Sequence, residues 1–287
     1  MAARKPPTER QRRLGAELRK MREQVGLSLT GAAALHGTDK TTISNTESGR
    51  FGVSADRVRV WAGNYSCPDG KYVDSLAEMA RERRVGGAHW WDEYRDLLTP
   101  TALDLAELEH HAVALRGVQI THFPGLLQYE DYIRAIFRES VPPLPPEDVD
   151  RRVAFRMRRR DLLDRPRPPE CTFLIHEAAL CMRFGPDSVV RSQLEHVLKW
   201  SERESVTIRV IPFAAGSYPS SGSSSTLYAH GPVPQLDTVQ IDAPTGSTFL
   251  YSDTHLASYR TVVERMEQLA LGPDASRDLI RETLRRL

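Results

Sequence analysis

Residues 38–50, TDKTTISNTESGR, gather side chains able to read the edges of bases. An ammonium group donates to guanine O6 and N7 or to a phosphate. A carboxamide pairs with adenine N6 and N7, and a small hydroxyl reaches base edges, a thymine methyl or a phosphate. Lys40, Asn45, and Thr41, Thr42 and Ser44 supply these three chemistries within one short segment. Arg50, at its end, and Arg57 or Arg59 further on are cations suited to gripping a phosphate backbone. Glu47 has the wrong sign for a polyanion. Its expected role is internal, holding an arginine or a backbone N–H.

Charge supports this reading. Residues 1–66 hold twelve Lys and Arg against six Asp and Glu, and the rest of the chain holds 27 against 32. A head of net charge +6 therefore precedes a body of net charge −5. A basic head on a mildly acidic body suits a head that meets nucleic acid.

The elements that must position these side chains follow from periodicity and capping residues. Leu14, Leu18 and Met21, with Val25 beyond, recur at helical spacing in 10–24, and Gly26 ends that helix. Ser28 caps a second helix, LTGAAALH. Thr38 or Asp39 caps a third that runs to about Ser48, and Ser54 caps a fourth with Val58 and Trp61 inward. A DNA-reading helix-turn-helix needs a small residue where its helices cross, a residue tolerant of positive φ in the turn, and an aliphatic anchor in the second helix. Ala33, Gly37 and Ile43 stand at those places. His36 and Thr46 depart from the larger aliphatics usual at their positions. Either the core is thinner there or both side chains find hydrogen-bond partners.

Past a turn at SCPDG, the spacing predicts helices over 71–85, in GAHWWDEYRDLL, and from 101 through TALDLAELEHHAVAL, the last with Leu105, Leu108, Val113 and Leu115 on one stripe. VQITHF reads as a strand, FPGLLQYEDYIRAIF as a turn and helix with Leu126 and Leu127 inside, and VPPLPPED as a connector. In VDRRVAFRMRRRDLLDR, Val149, Val153 and Met157 recur every four residues, and the arginines are expected to pair with Glu147, Asp148, Asp150, Asp161 and Asp164 on a solvated face. CTFLIHE, VTIRVIPF, TLYAH, TVQID and STFLY read as strands, and 187–200 as a helix. A Gly/Ser loop, GSYPSSGSSS, and two final helices follow, one capped by Asp253 and one with Pro273 in its first turn. The fold class is mostly α, with an α+β C-terminal domain.

Other chemistries find little support. The histidines are scattered with no H-x-x-x-H pair, and there is no Walker loop, G-x-G-x-x-G or G-x-S-x-G elbow. No metal, cofactor or enzymatic activity is expected. Cys67, Cys171 and Cys181 are widely spaced and read as free buried thiols of a reducing cytoplasm. The N-terminus, MAARKPPTERQRR, lacks the apolar run of a secretory signal, and no run of about 18 apolar residues is present to span a membrane. Trp90 and Trp91, with Tyr94, read as interdomain packing or as a partner surface. Gln128 and Tyr129 are candidates for a ligand site.

LGAELRKMREQVGLSLTGAA, TISNTESGR and VSADRVRVWAGNY together resemble the Xre/Cro-type helix-turn-helix of a large group of actinobacterial regulators. The resemblance continues in order through HWWDEYRDLL, FPGLLQYEDYIRAIF, RRRDLLDRPRPPECTFLIHEAAL, VTIRVIPFAAG and STFLYSD…YRTVVERMEQLAL, nearly the whole chain. It implies a lambda-repressor-like bundle over 1–66, a helical linker over 67–116, and an α+β sensor, dimerisation or partner-binding domain of unknown function over 117–287. It also implies a cytoplasmic, homodimeric regulator that binds double-stranded DNA. Such genes often neighbour one for a small partner protein, and the pair is described as antitoxin-like. The family commonly has a basic side chain at Thr42 and arginine at Asn45, so a different operator is expected.

The function expected is a sequence-specific DNA-binding transcriptional regulator whose C-terminal domain senses a partner protein or small-molecule effector. The alternative is an antitoxin-like module that sequesters a small protein, with DNA binding secondary.

Overall fold

The computed structural model describes residues 6–82, 89–219, 224–243 and 246–287. The first five residues of the basic N-terminus, the end of the helix expected over 71–85, the start of GAHWWDEYRDLL and the middle of the Gly/Ser loop lie outside the described residues. Two compact units emerge: Met1–Glu93 with Pro232–Gln235, and Tyr94–Gly231 with Leu236–Leu287.

The first unit is helical, with α1 (Glu9–Gln24), α2 (Leu29–Leu35), α3 (Lys40–Glu47), α4 (Ala55–Asn64) and α5 (Gly70–Glu82). Side-chain caps set the first four. Thr8 forms a capping box with Gln11, and Ser28, Asp39 and Ser54 accept from the N3 amides of α2, α3 and α4. The core is Leu14, Leu18, Met21, Ala32, Ala33, Ile43, Val58, Trp61, Ala62 and Leu76. Val25 is not part of it: it sits past the last turn of α1 as the C-cap and is exposed.

Helix α1 crosses α3 at close range, and Gly15 makes this possible. A Cβ there would lie 2.4 Å from the Glu47 carbonyl oxygen and 2.7 Å from that of Thr46. Backbone atoms cannot yield as a side-chain tip can. Gly15→Ala is expected to destabilise the unit by about 1–3 kcal/mol. The check is faster hydrogen exchange at α1 and α3 amides in the full-length protein, with the amides of the second unit unchanged.

The second unit surrounds a mixed six-stranded sheet. Its strands are β1 (Ala114–Gln119), β2 (Glu170–His176), β3 (Val206–Ile211), β4 (Ser225–His230), β5 (Thr238–Ala243) and β6 (Gly246–Leu250), in the order β3-β2-β1-β4-β5-β6. β1, β2 and β3 run parallel, while β4, β5 and β6 are antiparallel to their neighbours. The helices are α6 (Pro100–His111), α7 (Glu130–Arg138), α8 (Pro146–Arg159), α9 (Glu177–Cys181), α10 (Asp187–Trp200), α11 (Asp253–Leu269) and α12 (Pro273–Arg285). Alternation along β2 sends Phe173 and Ile175 to one face, into a core with Leu115, Leu194, Val197 and Ile280. Leu174 goes to the other, with Val239, Leu256, Val263 and Met266. Leu126 and Leu127 are buried in the first of these cores. Among the described residues no helix is long and apolar enough to cross a membrane, and no group of three His, Cys, Asp or Glu side chains could hold a metal ion.

Several expectations need correction. HWWDEYRDLL is not a helix: a 3-10 turn spans Trp90–Tyr94, and turns follow. The helix from 101 does not continue through AVAL. It ends at His111, and the next strand begins at Ala114, four residues before VQITHF. The apolar residues there fit either period, and pairing of Ala114 with Glu170 and His230 decides for the strand. Val113 is thereby left exposed rather than on the helix stripe, whereas Leu115 is buried within the sheet. Ser252, not Asp253, caps α11. All three thiols are free, but only Cys171 is buried, Cys67 is half-buried and Cys181 is exposed.

The arginine-rich helix departs most. Arg151 pairs with Asp148 and Glu147 as expected, and Asp150 takes Arg134 of α7. Arg159, however, is buried against Glu109 of α6, and Arg156 bonds Gln128. Arg152, Arg156 and Arg159 turn inward because their i, i+4, i+7 spacing sets them beside the Val149–Val153 stripe that packs on Ile133.

Candidate nucleic-acid interface

Helix α2, a tight turn and α3 form a helix-turn-helix. The turn closes through Gly37 at φ +60°, with His36 N donating to Ala32 O and Thr38 N to Ala33 O at 2.9 Å. Ala33 is buried at the crossing, and Ile43 is fully buried beneath α3. The two unusual positions each find a partner. Thr46 Oγ1 donates to Thr42 O at 2.8 Å. His36 stacks on Trp61 with ring centroids 4.6 Å apart, and its Nδ1 lies 3.3 Å from Asn64 Nδ2. Burial, helped by the nearby Arg57 charge, lowers the His36 pKa below its ordinary value.

Helix α3 is held to α1 by a buried ion pair. Arg22 donates from Nε and Nη2 to the two carboxylate oxygens of Glu47 at 2.6 and 2.9 Å, and from Nη1 to Leu27 O at 2.6 Å. The internal role expected of Glu47 is therefore seen. The carboxylate hydrogen bond raises the Arg22 pKa, against the opposing effect of burial. A second buried set joins Arg13, Glu17 and Tyr72. The sequence reading missed Gly15, Arg22 and this triad. The signal available was a small residue one position after Leu14 and charged residues on the apolar side of α1.

What α3 turns outward is polar. Lys40 and Thr41 are exposed in its first turn and Ser44 one turn on, and Asn45, next to Ser44, is half-buried. Asp39 accepts from Thr42 N at 2.8 Å and from Thr42 Oγ1 at 2.7 Å, so the Thr42 hydroxyl is turned back to the cap. These hydrogen bonds hold the Asp39 carboxyl below its usual range. Arg50 is exposed just past α3. Arg57, on α4, is also exposed and lies over the Trp61 ring, 5.6 Å from its centroid. Arg59 pairs with Asp74.

The candidate ligand residues are divided between the two units. In the first unit, Trp91 is buried and stacks on His89 at 4.4 Å, and Trp90 meets Trp91 edge-on. In the second unit, Gln128 is buried, donates to Phe123 O at 2.7 Å and lines a cavity. Tyr129 follows it in sequence but points toward His196, with its backbone N–H held by Gln193.

A buried-anchor helix crossing a small residue after a positive-φ glycine, with its polar face outward, is the helix-turn-helix fold of DNA-binding proteins. Residues 13–63 accordingly match a family described as helix-turn-helix domain. Residues 102–282, well over half of the chain, match the domain of unknown function DUF5753, and the chain belongs to that family. Neither a curated protein nor a solved structure gives a match.

Proposed function

We propose that this chain is a sequence-specific transcriptional regulator of the Xre type. It acts as a dimer on a two-half-site operator, and its second unit receives a signal. The observation that carries the reading is α3: rigidly anchored by Ile43 and the Arg22–Glu47 pair, it offers Lys40, Thr41 and Ser44 to the major groove with Asn45 beside them. Arg50 and Arg57 are assigned to phosphates. Dimerisation and an antitoxin-like relation to a small neighbouring protein rest on the resemblance of the whole ordered chain to actinobacterial regulators.

The test is selection of random duplex DNA by full-length protein near physiological salt. Asn45→Ala is expected to relax preference at one base position at a cost of about 1–3 kcal/mol. Arg50→Ala is expected to weaken all sequences alike and to flatten the salt dependence by about one unit. Equal loss on selected and random DNA for Asn45→Ala would remove its base-reading role. Failure of full-length protein to enrich any sequence would remove the proposal itself.

A further inference from the structure

Within the second unit, α6, α7, α8, the turn before α7 and the strands β1, β4, β5 and β6 line an open-mouthed cavity of about 400 Å³. That volume is in the range of small-molecule sites, which combine apolar walls with a few converging polar groups. Leu105, Phe123, Phe137 and Phe155 give the apolar wall, and Gly117 leaves the floor without a side chain.

The charges do not balance among the described residues. Arg152, Arg156 and Arg159 enter on successive turns of α8, with Glu109 and Asp242 as the acidic side chains of the lining. Glu109 is consumed: Arg159 takes both of its oxygens, at 2.8 and 2.6 Å. Asp242 Oδ1 accepts from Gln240 at 2.6 Å and from Ser247 at 2.8 Å. Arg156 bonds the neutral Gln128 carbonyl at 2.8 Å and lies on the Phe137 ring, 4.5 Å from its centroid. Arg152 also faces that ring, at 5.9 Å, and its Nε is buried with no hydrogen-bond partner among the described residues. Burial and the repulsion of Arg159 push the Arg156 pKa down to about 10. The lining thus sets three guanidinium groups against two carboxylates, with Asp242 acting on Arg156 from a distance, and leaves one positive charge in excess on one wall of the cavity, where unpaired charge is costly.

We infer that this cavity binds a small organic oxyanion, a carboxylate or phosphate carried on an apolar body, with Arg152 and Arg156 as the anion clamp and Phe137 and Phe155 against the body. Planar guanidinium forks suit either oxyanion. Gln128 holds Arg156 by a hydrogen bond, and both guanidinium groups lie over the Phe137 ring, so their place is set before the anion arrives. The inference deepens the reading of the second unit as the signal receiver and rests on it for any consequence at DNA.

The experiment is thermal melting and calorimetric titration of full-length protein without DNA. The probes are phenylacetate, phenyl phosphate, inorganic phosphate and the neutral phenylacetamide. One or both aryl anions are expected to raise the melting midpoint, more than inorganic phosphate does, and phenylacetamide to leave it unchanged. Preference between the two aryl anions reports which oxyanion the clamp fits. Arg152→Gln and Arg156→Gln should each weaken the anion about tenfold or more. Both should keep or raise the ligand-free midpoint, since each removes the excess positive charge. No rise with either aryl anion, an equal rise with phenylacetamide, or variants that lose stability while keeping the anion response would overturn the inference. Because DNA is left out, failure here leaves the DNA reading standing, and a failed DNA selection leaves this site standing.

Discussion

Glu47→Ala is expected to loosen the helix-turn-helix more than any change on the exposed face of α3. The Arg22 guanidinium is buried, and both forks of its grip on Glu47 are short. Removing the carboxylate leaves Arg22 only the longer contact of its Nη2 with the exposed Glu23, at 3.5 Å, and breaking a buried pair costs about 3–5 kcal/mol. Arg22 also holds Leu27 O, so the α1–α2 connection loses its fixed point as well. The fall should appear as a lower melting midpoint and as faster exchange of α3 amides, with DNA binding lost as a result. Replacing both partners together, as Arg22→Met with Glu47→Leu, should recover part of the loss, because it removes the stranded charge. An unchanged midpoint in Glu47→Ala would show that the pair does not hold α3.

The second large effect is expected at Glu109. Its carboxylate neutralises Arg159, and both side chains have under a tenth of their surface accessible. Burial alone would lower the Arg159 pKa, but the charge and hydrogen bonds of Glu109 outweigh it and the net direction is upward. Glu109→Ala leaves three guanidinium groups on the cavity wall facing Asp242 alone and should cost about 3–5 kcal/mol. This loss differs from that at Glu47 in one respect: a cavity can admit a counter-ion, whereas the α1–α3 contact cannot. The drop in melting midpoint should therefore shrink when inorganic phosphate replaces an equal ionic strength of chloride, and the drop for Glu47→Ala should not. If phosphate leaves the two variants equally unstable, Arg159 is closed off from the cavity.

Much of the first unit was legible because its information is local. Ser28, Asp39 and Ser54 cap the helices that follow them, and Ala33, Gly37 and Ile43 lie within eleven residues of one another. Even the inward turn of Glu47 could be read from its sign, though its partner Arg22 could not. Legibility failed where distant partners decide. Residues 112–115 carry apolar side chains that suit helix or strand, and the strands that choose between them begin at residues 170 and 225. Arg151, Arg152 and Arg158 of α8 have acids three or four residues away, so a solvated face was the natural reading, but Arg156 and Arg159 have none. Glu109 stands fifty residues from Arg159 and is not visible at that scale. The cavity is a product of this same non-locality: its wall comes from one helix, its acid from another and its floor from a strand.

The place of β1 in the sheet bears on how the chain comes off the ribosome. Both of its hydrogen-bonded edges wait for later sequence: Glu170–Ile175 on one side and Ser225–His230 on the other. Loops of this length must close before the central strand gains anything from pairing, whereas α1–α5 close over short loops. Helices α1–α5 can therefore take shape while the sheet is still being synthesised, before Pro232–Gln235 joins their unit. Until β4 arrives, one edge of β1 stands open to any extended chain, including that of a second nascent copy.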